Sequence, residues 1–141
     1  MPREIVIDHG GFTNLPASET MRGWLELALG DAIGDLYLRF VDERESRQLN
    51  SKFRDIDAPT NVLSFPALGD AVLGDIAICV KVLQAEATAQ NKSFNAHLAH
   101  LIIHGVLHLR GYDHIEDTAA NVMEMLEINL LRELGVANPY E

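Results

Sequence analysis

The stretch His104-Gly-Val-Leu-His108-Leu-Arg-Gly111-Tyr-Asp-His114 decides how this chain is read, and its pattern is H-x-x-x-H-x-x-G-x-x-H. The residues leading into it from Ala96 are apolar and helix-compatible, so His104 and His108 stand four apart on one helix. Residues at that spacing share a face, with Cβ atoms about 5–6 Å apart. Two imidazoles so placed reach one metal ion, because Zn–N bonds run about 2.0–2.1 Å. Gly111 stops the helix, since glycine accepts the left-handed conformation common at a helix end. Tyr112 and Asp113 turn the chain and bring His114 back. Three neutral imidazoles with one open position form the ligand set of a catalytic zinc site, where bound water becomes acidic enough to attack near neutral pH.

Two more histidines precede this stretch, His97 and His100, and all four helical histidines fall roughly on one stripe. A trio of His100, His104 and His108 is the wrong shape. At a rise of about 1.5 Å per residue its outer members stand about 12 Å apart along the axis, and they would meet a metal almost linearly. His114 is therefore assigned as the third ligand. His100 is expected beside the ligands, where such groups orient imidazoles through the other ring nitrogen, or in packing. His97 is expected to be partly exposed.

Length and composition suit one domain with a real core: 141 residues, 48% of them hydrophobic. The start, Met-Pro-Arg-Glu-Ile-Val-Ile-Asp, has no apolar signal region, and no stretch reaches membrane-spanning length. Cys79 is the single cysteine, which rules out an internal disulfide and is read as a buried, inert thiol. A cytoplasmic location without membrane contact is the expectation. The net charge of −10 argues against broad electrostatic binding of nucleic acid. A local exception is a run holding Arg39, Arg44, Arg47, Lys52 and Arg54, interleaved with acids and read mostly as a solvated helix face.

Glu4 to Asp8 is short and β-branched, hence a strand. Ser18 is a plausible N-cap for a helix whose apolar face holds Met21, Trp24, Leu25, Leu27, Ala28 and Leu29, ended by Gly30 or Gly34. Asp35 to Val41 alternates as a second strand. Asp42 caps a helix to about Phe53, with Leu49 and Phe53 on its inner face. A loop runs from Arg54 to Thr60, Asn61 to Phe65 is a third strand stopped by Pro66, and Val72 to Val80 a fourth. Lys81 to Gln90 is helical, the histidine helix follows, and Glu116 to Leu134 is the last helix before Gly135. On that helix Val122, Met125, Leu126, Asn129 and Leu130 lie near one face, read as core. The class is α+β, one domain over residues 1–141, with about four strands and about five helices.

The histidine spacing is similar to that of the metzincin zinc peptidases, with one departure. Their motif carries a glutamate, the general base, directly after the first histidine; here that position is Gly105, and the nearest carboxylate, Asp113, lies in the turn. A metallopeptidase-like hydrolase would therefore lack its base. A wider match covers nearly the whole chain. Phe53-Arg54-Asp-Ile-Asp-Ala-Pro59-Thr60-Asn61-Val62-Leu63-Ser64-Phe65-Pro66, Leu73-Gly74-Asp75-Ile76, the histidine stretch and the ending Asn138-Pro-Tyr140 together resemble the YbeY family of bacterial metal-dependent endoribonucleases. Arg110 stands where relatives often carry an apolar residue, and it is expected to point outward.

The resemblance implies a small mixed sheet flanked by helices and a zincin-like site on His104, His108 and His114. It also implies Arg54 in the active-site cleft. The implied substrate is single-stranded RNA, cut in ribosomal RNA maturation, notably at the 3′ end of 16S ribosomal RNA, and in ribosome quality control. Small-subunit proteins and a ribosome-associated GTPase are implied partners. One zinc ion per chain is expected, although nickel, copper and iron also accept nitrogen ligands. Arg54 can grip a phosphate oxygen with two parallel hydrogen bonds; the plainer role is a surface salt bridge to Asp55 or Asp57. Ser64, Asp75, His100 and metal-bound water are all candidates for the general acid, and attack by a 2′-hydroxyl stays open as a route. Pro59 and Pro66 suit an edge position for the strand between them, where an extended substrate could pair; an interior core strand is the equal alternative. The alternative function is a ribosome-assembly binding factor with a structural metal, to which an acidic surface facing basic ribosomal proteins is well suited.

Overall fold

The computed structural model describes residues 3–67, 71–113 and 115–141. In chain order the elements are β1 (Ile5–Asp8), α1 (Ser18–Leu29), β2 (Asp35–Val41), α2 (Glu43–Arg54), β3 (Val62–Pro66), β4 (Val72–Cys79), α3 (Val80–Ala89), α4 (Phe94–Leu109) and α5 (Asp117–Glu133). The strands form one mixed sheet in the order β1-β2-β4-β3. β1, β2 and β4 run parallel, and β3 pairs antiparallel with β4 as an outer strand.

Side chains alternate across the sheet with period two, and the two faces are covered unequally. Leu36, Leu38 and Phe40 of β2 and Ile76 and Ile78 of β4 join the main core with Met21, Leu25 and Leu29 of α1 and Leu98, Ile102 and Val106 of α4. The residues between them, Val41, Ala77 and Cys79, form a smaller cluster with Leu49 and Phe65. α4 is almost wholly buried along its length and packs against β3, β4, α1, α3 and α5, so the histidine helix is the central element. Cys79 is buried, as expected.

Capping chemistry sets several boundaries. Asp42 accepts from the Glu45 N–H at 2.8 Å, and Ser93 accepts from the Ala96 N–H at 3.1 Å, fixing the starts of α2 and α4. Gly111, at φ +98°, releases the chain after α4 as the sequence anticipates. Gly74 has a packing reason: a Cβ there would stand 2.5 Å from the Phe65 carbonyl oxygen and 2.7 Å from Leu109 Cδ2.

Three sequence expectations are corrected. Ser18 is the first residue of α1, and Ala17 occupies the N-cap without a side-chain bond. On α2 Leu49 packs inward as expected, but the fully buried residues are Ser46 and Asn50, while Phe53 is 50% exposed. These two polar side chains are buried because the loop beneath needs partners: Ser46 Oγ donates to the Thr60 carbonyl, and Asn50 Nδ2 to that of Ala58. On α5 the buried line is Met123, Glu127 and Leu131, one turn apart, whereas Val122, Met125 and Asn129 face outward. No helix among the described residues is long and apolar enough to cross a membrane.

Candidate metal centre and its cleft

His104 and His108 project from α4 and are half-buried, with their Nε2 atoms 3.1 Å apart. Two nitrogens on one tetrahedral ion at about 2.0–2.1 Å stand about 3.3 Å from each other, close to the separation seen. His114, the third histidine of the motif, lies outside the described residues. Of its neighbours, Asp113 accepts through Oδ1 from the Ile115 N–H at 3.1 Å.

Glu127 explains the orientation of the first ring. Its carboxylate, only 1% exposed, lies 3.3 Å from His104 Nδ1 and 2.7 Å from His100 Nε2, and it accepts from the Tyr140 hydroxyl at 2.9 Å. Burial raises the pKa of this carboxyl, but the hydrogen bonds and charges of His100 and His104 outweigh that and hold it at about 2. Glu127 is thus ionised and can only accept. Facing this carboxylate, His104 presents Nδ1 as the donor, and the neutral tautomer with its proton there would keep the Nε2 lone pair for a metal in the cleft. Burial, then the Glu127 charge and hydrogen bond, raise the Tyr140 pKa, so its phenol stays a donor.

His100, His104 and Glu127 themselves each offer a ligand atom, all within 4.8 Å of one another, and could hold a metal ion. The 2.7 Å between His100 Nε2 and Glu127 is shorter than two ligands of one tetrahedral ion adopt, and it is the length of a charge-assisted hydrogen bond. The pair of Nε2 atoms on His104 and His108 is the better-shaped seat.

His97 departs from expectation. It is 3% exposed, with Nε2 2.9 Å from Glu86 Oε1 on α3. The polar partner from α3 is what allows an imidazole to be buried there.

Arg54 enters from the end of α2. It is exposed, and its Nη2 donates to the Ser64 carbonyl at 2.9 Å. Its guanidinium carbon lies 5.9 Å from the centre of the Phe65 ring. Asp57, offered above as a salt-bridge partner, is instead held by Arg47 through two bonds of 2.7 and 3.0 Å. A cleft of about 410 Å³ brings Arg54 together with Asn61, Ser64, Pro66, His104 and His108.

The outer edge of β3 forms one rim of this cleft, and two of its outward backbone groups are already bonded. The Asn61 carbonyl points inward and accepts from the Cys79 N–H, so by alternation Val62 and Ser64 turn their backbone groups outward. The Val62 N–H donates to the Asn61 side chain at 2.6 Å, the Ser64 carbonyl is held by Arg54, and Pro66 has no N–H. The edge position is the one the flanking prolines suit, and an extended chain pairing here would have to displace these two bonds. At Gly105 a Cβ would lie 3.1 Å from Ile76 Cδ1 and 3.2 Å from Ser64 Oγ, so any side chain there requires the sheet side chains to give way. Of the general-acid candidates, Ser64 Oγ donates to the Gly105 carbonyl, His100 is spent on Glu127, and Asp75 does not line the cleft. Arg110 reaches back to the Ala28 carbonyl at 2.8 Å and lies over Tyr112, tying the turn to α1.

Glu127 was not singled out from the sequence. Its only signal is that positions 123, 127 and 131 make a helical line of methionine, glutamate and leucine facing a helix rich in histidine.

The fold and cleft define a small α+β protein with a histidine-lined, metal-capable site opposite an arginine. Comparison with known proteins gives that class its family. A family model described as Endoribonuclease YbeY matches residues 15–135. An endoribonuclease YbeY of Stutzerimonas stutzeri is 53% identical over 133 residues, covering 89% of this chain and 83% of that one. That of Colwellia psychrerythraea is 47% identical, covering 91% and 90%. The solution structure of TM1509 from Thermotoga maritima superposes with a TM-score of 0.66 at 31% identity, over 92% of this chain and 88% of that one. The chain belongs to the YbeY family and is an enzyme, an endoribonuclease.

Proposed function

We propose that this chain is a single-strand-specific, metal-dependent endoribonuclease of the cytoplasm. Its substrate is ribosomal RNA, including the 3′ end of 16S ribosomal RNA, and it serves ribosome maturation and quality control. The carrying observation is that one cleft holds both Arg54 and the converging Nε2 atoms of His104 and His108. His104, His108 and His114 would hold one zinc ion. When bound, it supplies Lewis acidity to a phosphoryl oxygen and to the attacking water.

The chain's own groups do the rest. Arg54 keeps donors beyond the one spent on Ser64, and these fit the non-bridging oxygens of a phosphodiester. Its anchor on the β3 backbone limits the freedom lost when it grips the substrate. Glu127 keeps the His104 proton on Nδ1 and is itself steadied by Tyr140. The occupied β3 edge favours a phosphate-bearing substrate over a peptide, which would need the backbone groups that Asn61 and Arg54 already use. The overall charge of −10 suits recruitment by basic small-subunit proteins and delivery with a ribosome-associated GTPase, rather than a search along naked RNA.

The test measures metal per chain and cleavage of a ribosomal RNA fragment on the same samples. Wild type should hold about one metal ion and cleave. His114→Ala should lose both. Arg54→Ala should keep the metal and fold yet lose at least about a hundredfold in rate, the scale of losing a transition-state charge stabiliser. Metal without cleavage in a clean wild-type preparation would favour the assembly factor with a structural metal. No metal after reconstitution would undo the assignment of the histidines.

A further inference from the structure

Beside the cleft, on the α2 side of the β3 edge, two aromatic rings and Lys52 form a unit with Arg54 of the cleft. Phe65 is seated against the small core cluster of Val41, Ala77 and Cys79. Phe53, at the end of α2, stands on it with ring centres 5.0 Å apart and planes at 60°, and is 50% exposed. The Lys52 ammonium lies 5.2 Å from the Phe53 ring centre, and the Arg54 guanidinium 5.9 Å from that of Phe65. A half-exposed phenylalanine with a lysine at its ring thus stands on a second ring that carries an arginine. Nucleobases offer a π-face to a ring while their phosphates need cations, so single-stranded nucleic acid satisfies both features.

We propose that Phe53 is a stacking site for a base of single-stranded RNA flanking the phosphate held in the cleft, with Lys52 facing the adjoining phosphate. This rests on the nuclease reading above and adds a binding residue to it. Arg54 links the two parts: it belongs to the cleft, bonds the β3 edge and lies over Phe65. A strand crossing that edge passes from the histidines to Phe53 by way of Arg54. Stacking is tolerant of sequence, because every base has a π-face, so the site gives a preference for unpaired RNA without reading its letters.

The experiment uses the metal-reconstituted full chain and a short fluorescein-labelled single-stranded oligoribonucleotide of mixed sequence. Phe53→Leu keeps an apolar side chain and removes the ring. It should raise KM about tenfold while kcat stays within about twofold and Tm is nearly unchanged. Phe53→Trp should restore KM, and Lys52→Gln should flatten the salt dependence of KM. Cleavage by Phe53→Leu with the wild-type KM would overturn the stacking site alone, and a joint fall in kcat and Tm would do so by assigning Phe53 to folding. If wild type itself does not cleave, this proposal falls together with the nuclease reading.

Discussion

Helix α4 meets a carboxylate twice, a half-buried one on α3 and a fully buried one on α5, and the two encounters end differently. Near its start His97 pairs with Glu86 at 2.9 Å; further along His100 and His104 share Glu127 at 2.7 and 3.3 Å. The partners are chemically alike. What differs is the other ring nitrogen. His97 Nδ1 and His100 Nδ1 are both buried with no hydrogen-bond partner among the described residues, whereas His104 Nε2 opens on the cleft beside His108. Glu86 spends its remaining capacity on the Asn61 amide, closing the first network on the backbone of β3. A histidine–carboxylate pair is a structural strut when its far nitrogen is walled in, and a ligand support when that nitrogen faces a cavity.

The sharpest way to break this comparison is to weaken the two carboxylates equally. Glu127→Gln should lower metal affinity about 10- to 100-fold in chelator competition, the usual loss when a ligand's orienting partner is removed. Glu86→Gln should leave metal affinity unchanged. Equal losses would mean that the pairs do not differ in kind.

A second effect is pH-dependent. Burial, the largest influence on His97, lowers its pKa and outweighs the opposing hydrogen bond and charge of Glu86. The unfolded imidazole titrates near about 6.5. Below that value the unfolded chain binds a proton that folded His97 resists, so stability should fall with pH, by up to about 1.4 kcal/mol per pH unit. His97→Gln should remove this part of the slope in Tm measured between about pH 7.5 and 5, a span centred near the free imidazole value. A variant profile parallel to wild type would locate the acid sensitivity elsewhere.

The smallest effect belongs to Tyr140. Tyr140→Phe removes one donor to Glu127 at a site that is 46% exposed, and should cost about 1 kcal/mol or less in unfolding measurements. Metal content should hold. Metal loss matching that of Glu127→Gln would promote Tyr140 to a necessary part of the support.

Locally coded features were legible in the sequence: the alternation of Asp35–Val41, the Asp42 cap, the helix spacing of His104 and His108, and the glycine stop at 111. Each depends on residues within a turn or two. Glu127 was not legible, because a glutamate among apolar neighbours gains its meaning from His100 and His104, more than twenty residues away. His97 was read as partly exposed for the same reason, its burial depending on Glu86. The inner face of α2 was legible only at Leu49, because Ser46 and Asn50 answer to the backbone of a loop, and hydrophobic periodicity carries no trace of that need.

The occupied edge of β3 also governs how copies of the chain behave together. An open sheet edge is a template on which another chain can add a strand, and crowded or freshly made protein aggregates by that route. Here one outer strand has an N–H closed by Asn61, a carbonyl closed by Arg54 and a proline at its end. The other, β1, is only four residues long. The Asn61 and Arg54 that border the cleft therefore also protect solubility, and replacing either exposes a seam for self-association along with any change in activity.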